Sequence, residues 1–158
     1  MTNLIVEHWN NKECSLPGIN CIAYPDGKVI ILNCYSMYDP NTKEKQLFCE
    51  PLCDTTIESI EKYGSVYWVR VGEWASINYK GGKIYGGDGT MGNEGFIACV
   101  DEADNLLWAI FFENTNPIKS LKIRDRKLIA VNEHSELKVE INLDVLTQMK
   151  MTTMTNSY

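Results

Sequence analysis

The chain has 158 residues, a length suited to one domain with one sizeable core. Apolar residues make up 44% and charged residues 23%, a balance that excludes a wholly disordered or collagen-like chain. With 15 Lys and Arg against 21 Asp and Glu the net charge is −6, which suits a basic partner and not the phosphates of nucleic acid.

The chain opens without a basic segment, and its first apolar stretch is broken by Glu7 and His8, so no secretory signal is read there. His8 and Trp9 are expected on a first strand. The longest purely apolar run, Leu106–Phe112, is far below the roughly 20 residues needed to span a bilayer. These features predict a cytoplasmic protein with no membrane partner. Strand signals follow at residues 28–35, 65–71 and 106–112, all rich in β-branched and aromatic side chains. The third has no polar residue on either face and is expected at the centre of a sheet, covered on both sides. Leu137, Val139, Ile141 and Leu143 alternate with polar residues, the period of a strand with one dry face. Turns are expected at Pro25-Asp26-Gly27, Asp39-Pro40-Asn41, Gly81-Gly82, Asp104-Asn105 and Asn116-Pro117. One short helix is expected over residues 55–63, with Thr55 and Glu58 as a capping box and Gly64 ending it in the left-handed conformation. Residues 144–150 are a candidate second helix. A single β-rich domain is thus expected over residues 1–150, followed by a frayed tail over 151–158.

Little in the chain points to catalysis, so no enzyme activity is expected. In a reducing compartment the six cysteines (Cys14, Cys21, Cys34, Cys49, Cys53 and Cys99) read as free thiols. Their spacing, with only His8 and His134 besides, does not make a zinc site, and no metal or cofactor is called for. Residues 81–95 hold seven of the eleven glycines. No helix follows them to offer its positive end to a phosphate, so they read as a hairpin connection needing several positive φ angles. Trp68, Trp74, Tyr79 and Tyr85 read first as core and second as a binding platform.

Residues 95–112 and 127–143 echo each other: an Ile-Ala pair, an acidic turn, then a returning apolar strand. The first copy is similar to the repeat of pyrroloquinoline-type β-propellers, although two copies are too few to close a propeller. The fold expected is mainly β, an antiparallel meander curling into two packed sheets, sandwich-like, with one short helix. A small propeller-like sheet stack is the alternative.

Charge is unevenly spread. Residues 84–118 carry Asp88, Glu94, Asp101, Glu102, Asp104 and Glu113 and no base, whereas Lys119, Lys122, Arg124, Arg126 and Lys127 follow with only Asp125 against them. The six acids are the candidate partner-binding residues, a face able to dock a basic protein. Small size, acidic balance, β-rich design and the segment 101–117, which reads DEADNLLWAIFFENTNP, make the chain resemble the immunity proteins of contact-dependent growth inhibition and related polymorphic toxin systems. That resemblance implies a stoichiometric inhibitor whose partner is the C-terminal domain of a cognate toxin, a nuclease with a basic cleft that the inhibitor covers. The aromatic and β-rich content also suits a ligand- or carbohydrate-binding module, the alternative function.

Overall fold

The computed structural model describes residues 3–154, and most of them lie in two antiparallel sheets. In chain order the elements are α1 (Leu4–Asn10), β1 (Ser15–Pro17), β2 (Cys21–Ala23), β3 (Lys28–Asp39), β4 (Glu44–Thr56), α2 (Ile57–Tyr63) and β5 (Trp68–Tyr79). There follow β6 (Gly82–Gly89), β7 (Gly95–Val100), β8 (Leu106–Phe112), β9 (Ile118–Arg124), β10 (Lys127–Asn132), β11 (Leu137–Asn142) and β12 (Met149–Thr153). The larger sheet runs β1-β5-β6-β7-β8-β2-β3-β4, the smaller β12-β11-β10-β9. Both sheets are open, in keeping with a sandwich and not with propeller blades. Among the described residues no helix is long and apolar enough to cross a membrane.

The larger sheet must coil. β1 and β2 lie five strand spacings apart in the order, about 24 Å if the sheet were flat. Only residues 18–20 join them, and the step from Pro17 to Cys21 reaches about 14 Å at full extension. The strands between therefore wrap around a core, and period-two alternation sorts their side chains to its two faces. Phe96, Ala98, Ala109 and Phe111 face inward, with Leu16, Val69 and Val71, beneath Ile5 of α1 and Ile57 of α2. Ile97, Cys99, Trp108, Ile110 and Phe112 face the smaller sheet, where they meet Ile118, Leu128, Val139 and Ile141. As expected, β8 is central and buried on both faces, only Leu107 reaching solvent.

Three local expectations are corrected. Residues 4–10 are a helix, because the Asn3 side chain accepts from the Ile5 amide and starts α1; His8 and Trp9 are not on a strand. In α2 the cap is Thr56, which accepts from Ser59 N, and not Thr55. Glu58 instead accepts from Asn3 Nδ2 at 2.7 Å and ties the two helices together, and Gly64 is extended, with φ −178°. Residues 144–150 form no helix: Asn142 caps a turn by accepting from the amides of Asp144 and Val145, and β12 begins at Met149. β12 continues through residues 151–153, paired to β11, so the tail expected from residue 151 starts inside a strand, while its last residues, 155–158, lie outside the described residues.

The glycine-rich stretch is also not what its composition suggests. Only Gly81 and Gly92 within it have positive φ. Gly82, Gly86, Gly87 and Gly89 sit in β6, and there the requirement is close approach. A Cβ on Gly87 would overlap the Gly72 carbonyl oxygen, and one on Gly82 the carbonyl oxygen of Val100. The sequence echo, by contrast, has a structural counterpart. β7–β8 and β10–β11 are hairpins in opposite sheets, packed in one core, and each is closed by an Asx side chain. Asp101 accepts from the amides of Ala103 and Asn105, both at 2.9 Å; Asn132 accepts from Glu136 and Leu137.

Candidate protein-docking surface

The six acids of residues 84–118 do not come together. Antiparallel pairing puts Asp88, Glu94 and Glu113 at one end of the β6–β7–β8 sheet and Asp101, Glu102 and Asp104 at the other. The β7 strand between them spans about 17 Å. Three of the six are occupied by the fold itself. Glu94, 7% exposed, accepts from Met91 N and holds the turn before β7. Asp101 closes the β7–β8 hairpin, and its three hydrogen bonds from Asn105 and Ala103 hold its carboxyl below the usual range. Glu113 exchanges hydrogen bonds with Asn20, its amide donating to Asn20 Oδ1 and its carboxylate accepting from Asn20 N. Asp88 is half-buried in β6, and Glu102 and Asp104 remain as exposed charges in one turn.

The exposed apolar surface lies elsewhere. β2 pairs β3 only as far as Ile31, so residues 33–50 project as a two-stranded ribbon beyond the sheet. Such a ribbon is marginal alone. One of its faces is covered near the base, where Cys49 belongs to the core shared with Met151 and Cys34, Leu47 and Met149 pack against it, while Tyr38 further out on that face is 65% exposed. Register places Asn33, Tyr35, Met37 and Asp39 with Glu50, Phe48, Gln46 and Glu44 on the other face. There the Tyr35 and Phe48 rings stack, with centroids 4.9 Å apart, and Met37 is 58% exposed. Three carboxylates (Asp39, Glu44 and Glu50) hold paired positions on this face and no base does, Asp39 also accepting from Asn41 N in the turn that carries Lys43; Lys45 pairs with Tyr38 on the opposite face. An aromatic and thioether centre inside an acidic rim suits contact with a basic protein surface.

The sequence reading missed this surface. It ended the strand at Tyr35 and read no strand after the Asp39-Pro40-Asn41 turn. The available signal was Met37 and Tyr38 standing outside any dry run, followed by Leu47, Phe48 and Cys49 across a strong turn.

Other sites are weaker. The His8 ring lies flat on Trp68, 3.6 Å between centroids, and its Nδ1 meets Ser15 Oγ at 3.3 Å. Stacked face to face on an indole, the imidazole anchors α1 to the sheet. His134 is in the turn after Asn132, beside Glu133. Trp74 is 46% exposed, and Tyr79 packs against the core shared with the smaller sheet whereas Trp68 and Tyr85 pack against the core beneath the helices, so the four rings do not lie on one face. Among the described residues no three His, Cys, Asp or Glu side chains gather as metal ligands would. Comparison of the chain with family models, curated proteins and solved structures finds no match.

Proposed function

We propose that the protein is a stoichiometric inhibitor of the immunity kind, which binds a basic cognate toxin domain, a nuclease, through the outer face of the β3–β4 ribbon. The observation that carries this reading is the stacked Tyr35–Phe48 pair with Met37, rimmed by Asp39, Glu44 and Glu50 with no base at the paired positions of that face. Buried aromatic anchors supply most of the affinity in protein interfaces, and the surrounding charges set rate and partner choice. Glu113, at the β8 end near Cys34, adds negative charge beside the ribbon's base. The remaining five acids singled out in the sequence lie away from the proposed contact centre or are engaged in holding turns.

The test is co-expression with the C-terminal domain of a toxin encoded next to this chain. Rescue of growth by the wild type is expected, with loss of rescue on replacing both Tyr35 and Met37 by Ala. Truncating a central aromatic anchor costs about 2 kcal/mol of binding, roughly 30-fold in affinity. Failure of the wild type to protect would overturn the inhibitor reading.

A further inference from the structure

Cys34 and Cys49 are opposed in register across β3 and β4. Directly opposed residues in antiparallel strands have Cα atoms about 4.5–5.5 Å apart, within the span a disulfide bridges. Their Sγ atoms stand 2.7 Å apart with both thiols free. Among the described residues no other cysteine is paired with a cysteine in strand register: Cys21 and Cys53 flank Ile31 from two sides, and Cys99 pairs with Trp108. The two members of the pair also differ in access. Cys49 is buried in the core, whereas Cys34 is half-buried and lines a cleft of about 170 Å³ with Asn20, Ser36, Asn114 and Thr115.

We propose that Cys34 and Cys49 form a dithiol oxidation site for small hydroperoxides, in which Cys34 attacks and Cys49 resolves. The Cys34 thiolate attacks the distal oxygen of the peroxide, forming an S–O bond as the O–O bond breaks, and the other oxygen leaves and takes up the proton; with hydrogen peroxide this releases water and leaves a sulfenic acid. The Cys49 sulfur then attacks the Cys34 sulfur, the S–O bond breaks, and a second water leaves with the thiol proton. Two thiols have given two electrons to one peroxide, and a disulfide joins β3 to β4. The roles follow from access, Cys34 being half-buried at the cleft and Cys49 buried in the core, and the hydrogen bond between the thiols agrees with them. It holds the Cys34 thiol below its usual range, against burial and the Glu113 charge, and pushes Cys49 up together with burial. Burial pushes Cys14 and Cys99 to about 11 and Cys21 to about 12, where the reactive thiolate is scarce. The two sulfurs stand on the ribbon's inner face, although Tyr35 and Phe48 also line the cleft; thiol counts on the protein alone test the site without any partner.

Thiols are counted on the fully reduced protein, then after stoichiometric hydrogen peroxide, and the product is mapped by non-reducing peptide mass analysis. The expected result is a fall from six free thiols to four, with Cys34 linked to Cys49, and a return to six on adding dithiothreitol. Cys49→Ser is expected to leave a Cys34 sulfenic acid that a 1,3-diketone probe captures, while Cys34→Ser leaves Cys49 unlabelled. Because Cys49 is a core residue, the wild-type map decides even where that variant does not fold. Six persisting thiols, or first reaction at the exposed Cys53, would overturn the proposal.

Discussion

At Gly87 there is no space for a side chain, since a Cβ would overlap the carbonyl oxygen of Gly72 on the neighbouring strand. Gly87→Ala is expected to destabilise the fold by about 3 kcal/mol, the scale of forced overlap in a packed core, measured by urea unfolding. The same substitution at Gly92, open to solvent but at φ +86°, should cost only the smaller backbone strain of a left-handed residue, about 1 kcal/mol. Asp101 carries a pH signature. Its pKa is lowered in the fold, so its contribution is complete above its unfolded value near about 4 and is lost as the pH falls through the lower folded value. The stability gap between wild type and Asp101→Ala should therefore be full at neutral pH and shrink below about pH 4. A gap that stays constant down to strong acid would contradict that role. Residue-level chemistry of this sort was partly legible. The acidic turn between two apolar strands was readable at 101–105, but the close approach that requires glycine in β6 depends on its β5 and β7 partners, which no local pattern announces.

Among the elements, α2 was readable to within a residue or two because capping is a local signal. The neighbouring threonines made its register ambiguous, and the structure assigns the cap to Thr56. Thr56→Ala should cost about 1 kcal/mol and Thr55→Ala less, a comparison that thermal melts resolve. α1 was misread as a strand because Leu4, Ile5 and Val6 carry β-forming side chains, while the deciding bond is the one from Ile5 N to Asn3 Oδ1. Burial of Ile5 against the coiled sheet then supplies what propensity does not. The period-two strand at residues 137–143 was legible for the opposite reason: its wet and dry faces are both local facts, and β11 follows them closely. β4 was missed because its distal half is exposed on one face and its dry face is completed by β12, about a hundred residues later in the chain.

At the scale of the molecule, two packed open sheets with little helix were legible from strand-rich runs separated by turns. The coil of the larger sheet and the projection of the ribbon were not, because both arise from the pairing of β2 between β8 and β3. Antiparallel pairing of β6, β7 and β8 splits a continuous acidic run in space, and the projecting ribbon moves the proposed contact to residues 33–50. The fold also limits how charge reversal can be used. A Lys at position 101 removes the hairpin closure, so Glu102→Lys is the clean probe of that turn. The most direct measurement is calorimetric titration of the toxin domain with wild type, the Tyr35→Ala/Met37→Ala double variant, and Glu102→Lys. Circular dichroism should confirm that all three remain folded, since exposed substitutions seldom cost more than about 0.5 kcal/mol each. A loss of roughly 30-fold for the ribbon variant, with Glu102→Lys close to wild type apart from its salt dependence, is the predicted result. Unchanged affinity for the ribbon variant with a large loss for Glu102→Lys would place the contact on the β7–β8 turn and contradict the account.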